Sequence, residues 1–498
     1  MSVLLFNPRA ARYKPRIPNS VLQVAAGIED VYDWVIVDGN LERDPWLKIE
    51  NYLATGTFRY FGCTVMPGPQ LKQAIPLSRK IREKYPHIVI IWGGYFPSNQ
   101  YKVCLESRYV DYIINGPGDT AFPALLRALK NGFAIDDIKN IIFRRNGNII
   151  KTAKEELPDM DQLPPLPYDK LNSLYPMRKY LGKTCLGEHT IAYHSSFGCP
   201  FTCSFCAVVP IYNARWKGRS AQAIYKDIKY LKENYQADAI EFHDNNFFVS
   251  EKRAAEFANL IKNENMTWWG EARIDTMHKY KDETLKLLRE SGCRMIFFGA
   301  ETGSDEILKK MDKGGTQTAK QIAEFAARLR QFDIIPEYSF VLGTPMDSEE
   351  AVNRQIDEDI KFIRKIKEIN PATEIIIYTY SPVPTEGSDM YKEVTASGFR
   401  FPQKLDDWIS PAWGNFDLRK NPLTPWLKPY MIDKIKNFET VLNAYHPTVS
   451  DTKLTPLRKK VFRMMSAWRY RLQLYQMPKE IRLMQVLWQY RQPETEGF

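Results

Sequence analysis

Phe197-Gly198-Cys199-Pro200-Phe201-Thr202-Cys203-Ser204-Phe205-Cys206 sets three thiols within eight residues, at the spacing CxxxCxxC. Positions i, i+4 and i+7 share one helical face, so the thiols first read as small core residues of a helix. Gly198 and Pro200 oppose that helix, because glycine is conformationally permissive and proline withdraws a backbone donor. A structural zinc site is the second plain reading, but zinc takes four ligands, normally from paired CxxC or Cys/His sets. Here the fourth would have to be Cys185 or His194. Three thiolates match an iron–sulfur cluster that keeps one iron open. The stretch is read as a cofactor loop.

Around it and beyond, from about Thr190 to Pro384, a short apolar run, a turn and an amphipathic stretch recur at roughly 30-residue intervals. Expected strands are Ile191–Ser195, Ala239–His243, Trp268–Ala272, Met295–Gly299, Glu337–Leu342 and Glu374–Tyr380. Expected helices between them include Ala221–Tyr235, Asp282–Ser291, Thr318–Phe332 and Glu349–Lys367. Six such units, with the cofactor loop after the first, predict an open, partial (β/α)6 TIM-like barrel whose functional groups gather at the carboxyl ends of its strands. Polar residues stand at those ends: His243-Asp244-Asn245-Asn246, Arg273 with Asp275, and Glu301-Thr302-Gly303-Ser304. Leu342-Gly343-Thr344-Pro345 and Tyr380-Ser381-Pro382 follow the last two strands. Any one of these acids or serines alone is explained as a helix cap. Together, at matching strand ends, they read as a site.

Upstream, residues 2–130 alternate strands and amphipathic stretches as a parallel, Rossmann-like α/β domain does. The strands are Val3–Phe6, Trp34–Val37, Tyr60–Cys63, Ile88–Ile91 and Tyr112–Ile114, with a helix over Gln70–Tyr85. Gly93-Gly94 and Gly116-Pro117-Gly118 close two of them, where backbone can approach a ligand closely. Plain turn use explains the same glycines. Ile141–Ile150 predicts a hairpin with a type I′ turn at Asn146-Gly147, and Leu163-Pro164-Pro165-Leu166-Pro167 a linker. The expected division is residues 1–135, a hairpin and linker over 136–187, a barrel over 188–390, and a helical, basic segment over 391–498.

The 498 residues include seven Cys, too few for a disulfide framework, and the clustered three need a reducing compartment. With no signal-peptide pattern and no apolar run near the ~20 residues of a membrane span, the expected location is the cytoplasm. Net charge is +10, yet residues 453–491 hold ten Lys or Arg against one acid, Glu480, so the rest is close to neutral. That location argues against a globally basic nucleic-acid binder, and nucleic acid is not an expected partner. Candidate helices Pro425–Tyr445, Pro456–Tyr475 and Pro478–Tyr490 end the chain. The last two interleave basic residues with Trp468, Tyr470, Leu472, Leu474 and Trp488. Either this face packs on the barrel, or residues 456–491 lie on an anionic membrane surface, making the protein peripheral there.

CxxxCxΦC, with Phe205 as the aromatic before the last Cys, resembles the signature of radical S-adenosylmethionine (SAM) enzymes. The resemblance implies a 4Fe–4S cluster on Cys199, Cys203 and Cys206 whose open iron chelates SAM, and reductive cleavage of SAM to methionine and a 5′-deoxyadenosyl radical. It also implies SAM contacts: Phe205, Asp244 or Asn245 near the amino group, Arg273 near the carboxylate, Glu301 near ribose or amino group, and Gly343 beside adenine.

Ile91-Trp92-Gly93-Gly94-Tyr95-Phe96-Pro97 resembles the GG-x-x-P turn of cobalamin-binding domains that precede a radical SAM domain. Val110 to Phe122 resembles their VDY…G-x-G-E-x-x-F stretch, with Asp119 in the place of Glu. The implied cobalamin contacts are Asp38, Asn40, Thr64, Gly93, Gly94, Tyr95, Gly116 and Gly118. Asp38-Gly39-Asn40-Leu41-Glu42-Arg43 departs from the D-x-H-x-x-G of other cobalamin domains, since Asn40 replaces the His. Cobalamin is therefore expected without a His lower ligand. The implied activity is cobalamin-dependent methylation of an unactivated carbon in a small-molecule or lipid-like substrate, fed by an external electron donor such as flavodoxin or ferredoxin. The related anaerobic magnesium-protoporphyrin monomethyl ester cyclase performs oxidation and ring closure instead. A tRNA methylthiotransferase would need a further cluster, for which the N-terminal region offers only Cys63 and Cys104. A zinc-stabilised binding protein is the non-catalytic alternative.

Overall fold

The structure, a computed structural model, describes residues 2–10, 15–311, 316–381, 389–414 and 423–491. Its first sheet holds β1 (Ser2–Asn7), β2 (Trp34–Asp38), β3 (Phe58–Thr64), β4 (Val89–Gly93), β5 (Tyr112–Ile114), β6 (Ile141–Arg145) and β7 (Asn148–Lys151). The spatial order is β2-β1-β3-β4-β5-β6-β7, with the first five parallel. β1 is buried along its whole length, as an apolar run covered on both faces must be. Chain direction across the sheet reverses between β1 and β3, the kind of switch point where such sheets open a crevice at their carboxyl ends.

The hairpin expected at 141–150 forms, and Asn146 and Gly147 both have positive φ, as a type I′ turn requires. It pairs antiparallel with β5 and extends the first sheet. The expectation that it starts a separate connecting segment at 136 is corrected by that pairing: the first domain runs on through Lys151.

Between the sheets, β8 (Thr190–Tyr193) leads into a two-stranded ribbon, β9 (Ser196–Gly198) and β10 (Trp216–Gly218). The second sheet continues with β11 (Ala239–Phe242), β12 (Thr267–Ala272), β13 (Cys293–Glu301), β14 (Ile335–Leu342) and β15 (Glu374–Thr379). All six strands are parallel, in the order β15-β14-β13-β12-β11-β8. That is the six-unit partial barrel. Residues alternate along each strand. Phe242 and Trp268 point outward into a ring cluster with Phe247 and Phe257, Trp268 lying 5.5 to 6.0 Å from its aromatic neighbours. Glu241, Trp269, Glu271, Phe297 and Glu337 occupy the alternate, inward positions.

The segment after the barrel divides in two. Met390, Val394, Phe399, Phe401, Leu405 and Trp408 join the core on one face of the first sheet, with Trp408 4.9 Å from Phe96. Helices Pro429–Tyr445, Pro456–Leu472 and Lys479–Leu487 pack instead on the barrel's outer layer, through Met431, Phe438, Phe462, Tyr470 and Ile481. The expected single unit over 391–498 is therefore corrected: its first part belongs with the first sheet. Of the two readings of the tail helices, each describes one face. Phe462 and Tyr470 are buried, while Leu457, Met464, Leu472, Met477, Leu483, Val486 and Leu487 are each more than half exposed. Among the described residues no helix is long and apolar enough to cross a membrane.

Candidate functional site

The cysteine loop leaves the first barrel strand and returns through the ribbon, where Trp216 pairs with Gly198 and Gly218 with Ser196. Gly198 has φ +70°, and a Cβ there would lie 2.2 Å from the Arg215 carbonyl, so only glycine closes this neck. Cys199, Cys203 and Cys206 stand in no disulfide and are partly exposed on the loop. Among the described residues no three His, Cys, Asp or Glu groups converge as the ligands of a single metal ion would. A cubane cluster takes its thiolates at separate irons, so three cysteines spaced along one loop suit it as a donor set.

Asp244, expected beside the SAM amino group, does different work. Its carboxylate accepts from Ser195 N (2.8 Å), Ser195 Oγ (2.9 Å) and Ser196 Oγ (2.6 Å), and it is fully buried. The buried Arg253 guanidinium completes this clasp, donating to the carbonyls of Ser195 (3.1 Å) and Phe247 (3.1 Å). With those donors Asp244 fastens the residues just before the cysteine loop. Its neighbour Asn245 is exposed and lines the cavity described below.

Arg273 is likewise committed. Its Nε and Nη2 donate to Asp275 at 3.0 and 2.8 Å, and its Nη1 lies 3.0 Å from Cys203 Sγ. The guanidinium rests 4.0 Å over the Phe201 ring, and Thr316 Oγ1 holds Asp275 at 2.6 Å. Arg273, expected near the SAM carboxylate, thus ties the third strand end to the cysteine loop itself.

Glu301 ends β13 at φ +65°, after a register shift against β14 between Gly299 and Glu301. A non-glycine residue held there costs energy and is a feature of functional sites. Gly343, at φ +84°, is capped by Leu427 and accepts from Trp426 Nε1 at 3.0 Å, so the C-terminal segment roofs this strand end. Phe205 is half-buried on the cysteine loop. Pro382, expected at the last strand end, lies outside the described residues.

A cavity of about 360 Å³ opens where the carboxyl ends of the two sheets face each other. Thr64, Gly93, Gly94, Tyr95, Gly116 and Gly118 form its first-sheet wall. Gly94 has φ +97°, and a Cβ there would lie 3.1 Å from Thr64 Oγ1, while a Cβ on Gly118 would strike Val24 at 2.8 Å. Ser196, Phe197, His194, His243 and Asn245 face them from the barrel side. Lys154 stitches the two walls, donating to Asn115 O (2.6 Å), Asn115 Oδ1 (2.8 Å) and Ile211 O (3.0 Å). Burial lowers that ammonium to about 7.

Asp38 and Asn40 do not reach this cavity. Asp38 ends β2, on the other side of β1 from the switch point. It is buried, accepting from Asn7 Nδ2 (3.0 Å), Asn40 N (2.9 Å), Asn40 Nδ2 (2.8 Å) and Tyr180 Oη (3.0 Å). The topology puts the crevice after β1 and β3, so neither residue lines this cavity. Sequence reasoning missed Ser196 and the helix Asn19–Ala26 at the switch point, while His194, Phe197 and His243 stand in stretches it named without a place on this wall. The His194 imidazole is exposed to the cavity, its ring 6.2 Å from that of His243. Asp119 is pushed up to about 6 by burial.

Residues 193–358 match the model of the radical SAM superfamily. An uncharacterised methyltransferase of Pyrococcus horikoshii is 25% identical over 353 residues, 70% of this chain and 73% of its own length. The anaerobic magnesium-protoporphyrin IX monomethyl ester cyclase of Synechocystis is 27% identical over 289 residues, 57% of this chain and 55% of the cyclase. Among solved structures, the cobalamin-dependent SAM radical enzyme OxsB, with aqua-cobalamin and SAM bound, superposes over 97% of this chain and 74% of its own at a TM-score of 0.71 and 16% identity. A radical SAM domain therefore covers residues 193–358, and the chain shares with OxsB the fold of an α/β domain followed by a partial barrel.

Proposed function

We propose that the protein is a cobalamin-dependent radical SAM methyltransferase acting on an unactivated carbon of a small molecule. The observation that carries this reading is the cavity walled on one side by the glycine turns of the first sheet and on the other by residues flanking the cysteine loop. When bound, the cluster with SAM supplies a hydrogen-abstracting radical and cobalamin a transferable methyl group. Cys199, Cys203 and Cys206 would hold the cluster, with Arg273 steadying Cys203. Thr64, Gly93, Gly94, Tyr95, Gly116 and Gly118 would hold cobalamin, and Asn245, Glu301 and Gly343 would face SAM. An external one-electron donor such as flavodoxin or ferredoxin would reduce the cluster.

The experiment follows the fate of SAM on protein reconstituted without oxygen. Methyl transfer expects both S-adenosylhomocysteine and 5′-deoxyadenosine. Deoxyadenosine alone favours the oxidative cyclase reading, which the Synechocystis relative supports.

The tail gives this reading a place. Its exposed apolar side chains lie among ten basic residues, a surface suited to anionic lipid and to a lipid-like substrate drawn from it. Sedimentation with phosphatidylserine vesicles, reversed as salt screens charge over about 8–10 Å, is the expected result. Leu457→Ser with Leu483→Ser and Val486→Ser should abolish it, because these side chains are on the outer face. Vesicle binding unchanged in that triple variant would refute the membrane reading.

A further inference from the structure

The inside of the barrel is not filled. Glu241, His243, Trp269, Glu271, Phe297 and Glu337 are each partly exposed, while the outward residues between them, such as Phe242 and Trp268, are buried completely. Registered residues of parallel strands share a face, so Glu241 sits beside Trp269, and Glu271 beside Phe297, which neighbours Glu337. Two residues beyond Glu271 on the same strand face is Arg273, in contact with the cysteine loop. This lumen leads directly to the cofactor site.

Three enclosed carboxylates elsewhere in the chain, Asp38, Asp244 and Asp359, have donors. Asp38 and Asp244 were described above, and Asp359 accepts from Thr302 Oγ1 at 2.7 Å and Gly303 N at 2.8 Å. In the lumen, Glu241 meets Arg16 Nη2 at 2.7 Å and His243 Nε2 at 3.3 Å, and Glu337 accepts from Trp269 Nε1 at 2.8 Å. Glu271 differs. The charged groups around it are Asp244 and Glu337, both acids, and burial with that repulsion pushes its carboxyl up to about 8. An enclosed acid among like charges is unfavourable until a ligand brings a donor or a cation.

We propose that Glu271 is the substrate-recognising residue of the lumen and that the substrate carries a protonated nitrogen. The inference rests on the radical SAM reading, which sets the substrate in the lumen against SAM. An ammonium supplies both the missing donor and the opposing charge, and the Trp269 and Phe297 rings, 6.3 Å apart, offer it aromatic surface. A hydroxyl supplies the donor without the charge, and an anionic group is repelled.

The test uses intact reconstituted protein with benzylamine, a cation at pH 7, and benzyl alcohol as its neutral counterpart, followed by ligand-observed NMR. Benzylamine should bind at least about tenfold more tightly than the alcohol, the increment of one charge-assisted hydrogen bond. Glu271→Gln should erase that preference and Glu271→Asp should keep part of it. Equal binding of the two fragments, no binding of benzylamine, or a preference that survives Glu271→Gln would each overturn the proposal. Iron and sulfide content and SAM cleavage on the same samples report separately on the radical SAM reading. An amine preference in a protein that never cleaves SAM would sink that reading and leave the recognition by Glu271 standing.

Discussion

Replacing Cys203 with alanine is expected to remove the iron–sulfur cluster and with it all reductive cleavage of SAM, to the background rate. The chain has no spare thiolate for that position. Cys63, Cys104 and Cys293 are buried and their thiols are pushed up by burial, which keeps them protonated and inert. Cys185 is exposed, but stands 3.7 Å from Ser450 Oγ, away from the loop. The same loss is expected for Cys199→Ala and Cys206→Ala. Cys293→Ala is the control: it should keep iron and sulfide at the parent level. Iron retained in Cys203→Ala and lost in Cys293→Ala would show that the cluster had been assigned to the wrong thiols.

The second large effect is expected at Asp244. Asp244→Ala strips the Ser195 amide and two buried hydroxyls of their acceptor and leaves the Arg253 guanidinium without its nearby carboxylate. Removing one partner from a buried charged network costs about 3–5 kcal/mol. The urea midpoint should fall accordingly, and less protein should take up iron, because Ser195 and Ser196 lead directly into the cysteine loop. Asp244→Asn keeps the shape and one acceptor oxygen, so a smaller loss is expected. Unchanged stability in Asp244→Ala, with SAM binding lost instead, would return Asp244 to the role of a SAM ligand.

Asp244 also shows what the sequence makes legible and what it hides. Its position after a strand, in a run of polar residues, marks the barrel's carboxyl end correctly. Nothing in the run tells a carboxylate held by Ser195 and Ser196 from one left open to a ligand, because those partners lie 48 and 49 residues away. Arg273 is the same case, its partner Cys203 being 70 residues distant. The six barrel strands were legible because period-two burial and turn residues repeat locally. The Asp38 stretch stands apart from the cavity for a topological reason: a motif after a strand lines the crevice only if that strand borders the switch point, and β2 does not. The outer surface of the tail helices was half legible. Periodicity shows an apolar face and cannot show that Phe462 and Tyr470 pack while Leu457 and Leu483 remain outside.

The most direct test of the account labels the SAM methyl group with deuterium. Protein carrying iron, sulfide and cobalamin is supplied with a strong one-electron reductant and a small-molecule extract of the source cells. The account predicts S-adenosylhomocysteine and 5′-deoxyadenosine in equal amounts, with the deuterated methyl group on a new product. 5′-Deoxyadenosine formed with no S-adenosylhomocysteine and no transferred label would contradict it.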